Sequence, residues 1–292
     1  MGKRTVIAIS ADKHSGSSLG LMIDKPFNLH DGGTYSPSPL QKIIWQQYEE
    51  CLDFIKEQRK RSRLIWIDNG DVCEGIHHGT TQTVSQRVEE HEQIAVDILD
   101  HTFKKLHFGG DDLAYMIAGT EEHGGSGSQS ENRVAEDLDC FTPQFTESSG
   151  RSHRFTWDRL LLKVNGRLLD IAHHGGSVGR REWTKNNGMD NLVRSFYYQN
   201  LEDRYVHPGL ELPRYWVRSH LHKISYGQYR GEAGEIEGFV TPSFQFKSGF
   251  GYKVAGSQLS DIGMLVIIIE EDGTCNHHII KTRFKQDRVV EV

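Results

Sequence analysis

Short apolar runs recur along this chain, each bounded by polar residues and glycine, and they alternate with segments of helical period. Val6-Ile7-Ala8-Ile9 and Leu64-Ile65-Trp66-Ile67 contain no polar alternation, so both read as strands buried on two faces. Between them Leu40, Ile43, Ile44, Tyr48, Cys51, Leu52 and Ile55 fall at helical spacing behind Ser38-Pro39-Leu40-Gln41, a capping box with proline in the first turn. The unit is βαβ, which implies a parallel sheet. The pattern predicts a second helix over about 86–106, a third strand over 113–118, and a short helix starting near Ser128 with Glu131 as its box partner.

The later half reads differently. Segments 159–164 and 167–172 flank Asn165-Gly166, a strong two-residue hairpin signal. A helical stretch around 190–201 leads to Tyr215-Trp216-Val217-Arg218, and strands are expected near 224–229, 238–246, 263–270 and 275–283. With no internal repeat or linker, the expectation is one α/β domain over 1–292, parallel in its first half and largely antiparallel in its second.

Composition narrows the function classes. At 292 residues and 36% apolar content the chain can bury a sizeable core. The first strand begins almost at Met1, and no run approaches the roughly 18 apolar residues of a membrane helix, so a cytoplasmic location without membrane contact is expected. Cys51, Cys73, Cys140 and Cys275 are scattered, which indicates neither a disulfide framework nor a thiolate zinc site. A net charge of -6 does not favour nucleic acid as a partner, although local contacts stay open, and the basic run 56–63 reads as a solvated helix end. The oligomeric state is not legible.

Sixteen histidines are the unusual feature, and their placement matters more than their number. Five strand ends carry acid or imidazole: Asp12 and His14, Asp71, His123, His173 or His174, and His220 with His222. Ligands of open α/β sheets bind beyond the carboxyl ends of strands, so these groups sit where they can converge. Hard carboxylate and borderline imidazole donors without thiolate suit Mn, Fe, Zn or Ni. Seven or so groups exceed the needs of one ion, and two ions about 3.5–4 Å apart would use them all.

With these motifs in order, the chain resembles the calcineurin-like metallophosphoesterase superfamily. Asp12-Lys13-His14-Ser15-Gly16 matches its Asp-x-His motif, Asn69-Gly70-Asp71 with Glu74-Gly75 its Gly-Asp motif, and Ser219-His220-Leu221-His222 its closing His-x-His motif. The form Gly119-Thr120-Glu121-Glu122-His123 departs from the family's Gly-Asn-His, and is similar to that of members from bacteriophage and bacterial genomes. The resemblance implies an αββα sandwich, two mixed β-sheets flanked by helices. It implies two divalent transition-metal ions, Mn favoured over Fe, Zn or Ni, with Asp12, His14 and His222 on the first, His220 and the lone His on the second, and Asp71 bridging both.

Either Thr120 or Glu121 replaces the family's Asn, and either His173 or His174 is the lone ligand, with His174 preferred because glycine follows it. By the same resemblance His123 is the catalytic histidine that protonates the leaving oxygen, and the reaction is hydrolysis of a phosphomonoester or phosphodiester by in-line attack of a hydroxide held between the ions. His77, His78, Arg180 and Arg181 are candidate substrate contacts. Alternatives are a nuclease of the same superfamily and a noncatalytic metal-binding scaffold. Lys13, between two inward-facing ligands on extended backbone, is expected to point away from the ions.

Overall fold

The two continuous apolar runs become neighbouring parallel strands in the computed structural model, which describes residues 3–77, 79–146, 152–249, 251 and 259–282. In chain order, β1 (Thr5–Ser10) is followed by a short ribbon of β2 (Phe27–Asn28) and β3 (Thr34–Tyr35), then α1 (Pro39–Arg59), β4 (Arg63–Asn69), α2 (Val88–Lys105) and β5 (Leu113–Ile117). A single turn, α3 (Glu121–Gly124), precedes α4 (Gln129–Leu138). Short strands β6 (Phe145–Thr146), β7 (Ser152–Arg154) and β8 (Thr156–Trp157) lead into β9 (Leu160–Val164) and β10 (Arg167–Ile171). The described chain closes with α5 (Asn187–Val206), β11 (Tyr215–Arg218), β12 (Ser225–Gly231), β13 (Gly234–Val240), β14 (Ile262–Ile269) and β15 (Cys275–Thr282).

Two mixed sheets form. The first has the order β15-β14-β1-β4-β5-β8, parallel from β1 to β8, with β14 antiparallel to β1. The second has the order β12-β13-β11-β10-β9, in which β13, β11 and β10 are parallel. Alternate residues of β1 serve two different cores: Val6 and Ala8 face α1 and α2, whereas Ile7 and Ile9 meet Leu169, Ile171 and Val217 of the second sheet. A third core places Met189, Val193 and Tyr197 of α5 on the outer face of the second sheet, against Trp216 and Ile236. The layer order is therefore helices, sheet, sheet, helix. A one-residue slip of β1 would exchange its two rows, and burying an Ile or Leu is worth roughly 2 kcal/mol, so the register is tightly held.

Local signals act as expected where they are self-contained. Ser38 accepts from the Gln41 backbone while the Gln41 side chain accepts from the Ser38 N–H, which starts α1. Asn165 and Gly166 take φ of 46° and 78°, the paired positive values of a two-residue hairpin between β9 and β10. The second half differs from expectation: its central strands are parallel, because the α5 crossover lies between β10 and β11. The strand expected over 238–246 begins at Gly234 and ends at Val240, before Pro242. Among the described residues no helix is long and apolar enough to cross a membrane.

Candidate metal centre

The turns leaving β1 and β4 run side by side. Asp12 N–H donates to the Gly70 carbonyl, His14 N–H to Asp71 and Ser15 N–H to Val72, at 2.9–3.0 Å. Asp12, His14 and Asp71 take φ of 49°, 46° and 51°, so the ligand pair emerges from left-handed backbone and not from the extended chain expected from the sequence. His220 and His222 share this conformation at 72° and 51°. Such a geometry costs a non-glycine residue about 1–2 kcal/mol, and five instances at the adjoining edges of the two sheets mark a place where position is held against local preference.

The strand ends converge as expected. His222 Nε2 lies 3.3 Å from Asp12 Oδ1 and 3.1 Å from His14 Nε2. His173 Nε2 is 3.0 Å from Asp71 Oδ2, and His220 Nδ1 is 3.8 Å from the same oxygen. The His220 backbone N–H reaches Asp12 Oδ2 at 3.2 Å. Asp12, His14, Asp71 and His173 are almost wholly buried. Gly70 permits the approach, since a Cβ there would stand 2.4 Å from His173 Nδ1.

The two open choices separate in space. Thr120 donates its backbone N–H to Asp71 Oδ1 at 2.6 Å and its hydroxyl to Oδ2 at 3.0 Å, and the hydroxyl is 3.3 Å from His220 Nδ1. Glu121 is exposed in the first turn of α3. His173 is buried against Asp71 with Nδ1 donating to the Asn69 carbonyl at 2.6 Å, whereas the preferred His174 is exposed, its ring 4.7 Å from those of His173 and His220. Gly175, two residues beyond His173, takes φ 97°.

Charge in the cluster is mutually supported. Burial alone would raise Asp12, but the His222 and His173 imidazoles bring it below the usual carboxylate range. Burial opposes ionisation of Asp71 too, and His173 holds it well below that range. His173 itself is driven up to about 9, burial being overcome by the Asp71 carboxylate. His123 goes the other way, to about 4, under burial and the nearby His14 imidazole.

These side chains open into a cavity of about 480 Å³. His14, Asp71, Thr120, His123, His220 and His222 line one wall, and Lys223, Gln245 and Lys247 contribute to the rest. His123 donates Nδ1 to the Glu74 carbonyl at 2.7 Å, and its ring is 4.3 Å from that of His77, which also reaches the cavity. Arg180 and Arg181 are exposed and do not line it: the loop turns back at Gly179 N–H to Lys185 carbonyl, and Arg181 lies over Trp183. His78 falls outside the described residues. Lys223 directly follows His222 and Lys247 lies in the aromatic segment 244–252, so both were adjacent to visible motifs without carrying a motif of their own.

The donor set fits divalent metal. Four groups of three side chains bring oxygen or nitrogen donors within 4.8 Å of one another, namely Asp12, His14 and His222; Asp12, Asp71 and His173; His173, His174 and His220; and His14, Glu74 and His123. Asp12 Oδ1 is buried without a hydrogen-bond donor, and two imidazole Nε2 atoms face each other beside it. A divalent cation would satisfy all three atoms at once.

No family model matches the chain, and no curated protein sequence matches it. Solved structures align along nearly its whole length at low similarity. A conserved uncharacterized protein described as a predicted phosphoesterase, from Streptococcus pneumoniae, has TM-score 0.33 and 10% identity over 97% of this chain and 98% of its own. Vps29 complexed with zinc, from Entamoeba histolytica, has TM-score 0.35 and 8% identity over 96% and 99%. A Thermotoga maritima protein has TM-score 0.35 and 10% identity over the same shares of the two chains.

Proposed function

We propose that this protein is a dinuclear metal-dependent hydrolase of phosphomonoesters or phosphodiesters, of the calcineurin-like metallophosphoesterase type. The observation that carries the reading is Asp71, a buried carboxylate set between two donor groups, one of Asp12, His14 and His222, the other of Thr120, His173 and His220. The first group would hold one ion and the second another, with Asp71 shared. Manganese is favoured, and iron, zinc or nickel suit the same donors. Bound ions supply Lewis-acid charge to the phosphoryl oxygens and acidify water near neutral pH.

The chain's own residues do the rest. Lys223 and Lys247 line the cavity and would offset phosphoryl charge, a role for which the sequence offered Arg180 and Arg181 as candidates. In hydrolysis, the oxygen of water bonds to phosphorus, the phosphorus–oxygen ester bond breaks, and the leaving oxygen takes a proton. His123 is the donor. Its Nδ1 is committed to the Glu74 carbonyl, so the transferable proton would ride on Nε2; burial and the His14 imidazole lower the ring's affinity for that proton, and an anionic phosphoryl group would raise it. The test is Asp71→Asn: turnover of a chromogenic phosphodiester should fall at least about a hundredfold, and unchanged turnover would remove the assignment.

A further inference from the structure

Glu74 is almost wholly buried, yet it touches groups from four parts of the chain. Its Oε2 lies 2.9 Å from His14 Nδ1 and accepts from Gln245 Nε2 at 2.8 Å, its Oε1 is 3.2 Å from His77 Nε2, and its backbone carbonyl is 2.7 Å from His123 Nδ1. Its own N–H donates to the Ser15 carbonyl at 2.9 Å, which ties it to the turn that carries His14.

A carboxylate and a carbonyl have no proton to give, so the proton sits on Nδ1 of His123, which donates to the Glu74 carbonyl, and on Nδ1 of His14, whose 2.9 Å approach to Glu74 Oε2 is a charge contact and not an aligned hydrogen bond. In the neutral ring Nε2 of His14 carries the lone pair, and it lies 3.1 Å from His222 Nε2 within the cluster that also holds Asp12. The His14 ring stands between Glu74 on its Nδ1 side and the Asp12–His222 cluster on its Nε2 side. We propose that Glu74 is the positioning residue of the centre: its side chain fixes His14 as an Nε2 ligand of the first ion, and its main chain fixes His123 in the Nδ1–H form.

This rests on the metal-dependent reading above. A carboxylate on the far nitrogen of a ligating imidazole locks the ring and raises its basicity. Gln245 fixes the carboxylate in turn, which gives the segment after β13 a part in the geometry of a ligand near the start of the chain.

The experiment uses zinc as the probe. Chelator competition on the full chain should give a 10–100-fold loss of affinity for one of two zinc ions in Glu74→Ala, with Glu74→Gln, which keeps an acceptor for His14, recovering most of it. Long-range ¹⁵N–¹H spectra of the zinc-loaded wild type should show His14 protonated on Nδ1 and bound through Nε2. Wild-type zinc affinity in Glu74→Ala overturns the proposal, as does His14 bound through Nδ1; the spectra decide it even if the alanine variant does not fold. A wild-type protein that binds no zinc removes the metal reading itself, whereas a zinc-binding wild type matched by Glu74→Ala removes only the role of Glu74.

Discussion

His173 Nε2 lies 3.0 Å from Asp71 Oδ2 while its Nδ1 donates to the Asn69 carbonyl, so one ring joins the β10 edge to the β4 edge. The neighbouring His174 is exposed and touches that pair only through ring contact. An adjacent pair on one strand edge cannot both face inward, and burial selects the first.

His173→Ala should therefore lower affinity for one divalent ion by at least about tenfold, and His174→Ala by less than about threefold. Titration of each variant with zinc against a chelating dye separates the two. Equal losses, or a larger loss at His174, would reverse the assignment of the lone ligand.

Lys13 is fully buried and ion-paired with Asp68, whose other oxygen accepts from Trp66 Nε1 at 2.9 Å. It points away from the cluster, as its place between Asp12 and His14 suggests, but into the core and not into water. Lys13→Ala strands a buried carboxylate and should cost on the order of 3–5 kcal/mol, measured by urea unfolding. Lys13→Met combined with Asp68→Asn should recover most of it, and a double variant no better than the single would show that the pair is not the cause.

Much of the donor cluster was legible because its acids and imidazoles sit at strand ends, where apolar runs stop and polar residues begin. Asp12, Asp71 and His222 could be named from that alone. The left-handed turns could not, since they arise from the hydrogen bonds of residues 12–15 to residues 70–72, nearly sixty positions away. The choice between Thr120 and Glu121 depends likewise on where α3 begins, and the parallel strands of the second sheet depend on a crossover helix whose partner face is set by tertiary packing.

Glu131 shows the same limit. Ser128 is left-handed at φ 55° and makes no side-chain cap, and Glu131 is buried with neither carboxylate oxygen hydrogen-bonded among the described residues. Burial and the Asp71 charge push it up to about 7 from an ordinary 4.5. The native state thus holds this proton more tightly than the unfolded chain, and the contribution of Glu131 to stability is fully present below pH 4.5 and is lost as pH rises through 7. Metal-free Glu131→Gln should be more stable than wild type at pH 8 by up to about 3 kcal/mol, with no advantage at pH 4. Parallel stability curves for the two proteins would contradict this environment.

On the proposed function, two ions and a phosphoester meet in one cavity. Metal analysis of the purified protein, paired with turnover of a chromogenic phosphodiester before and after chelation, tests it most directly. Two equivalents of divalent transition metal per chain, with activity that is lost on chelation and restored by Mn, is the result the geometry predicts. Metal bound without turnover on any phosphoester would contradict the hydrolase and point to a scaffold, and a protein that takes up no divalent metal would contradict the centre itself.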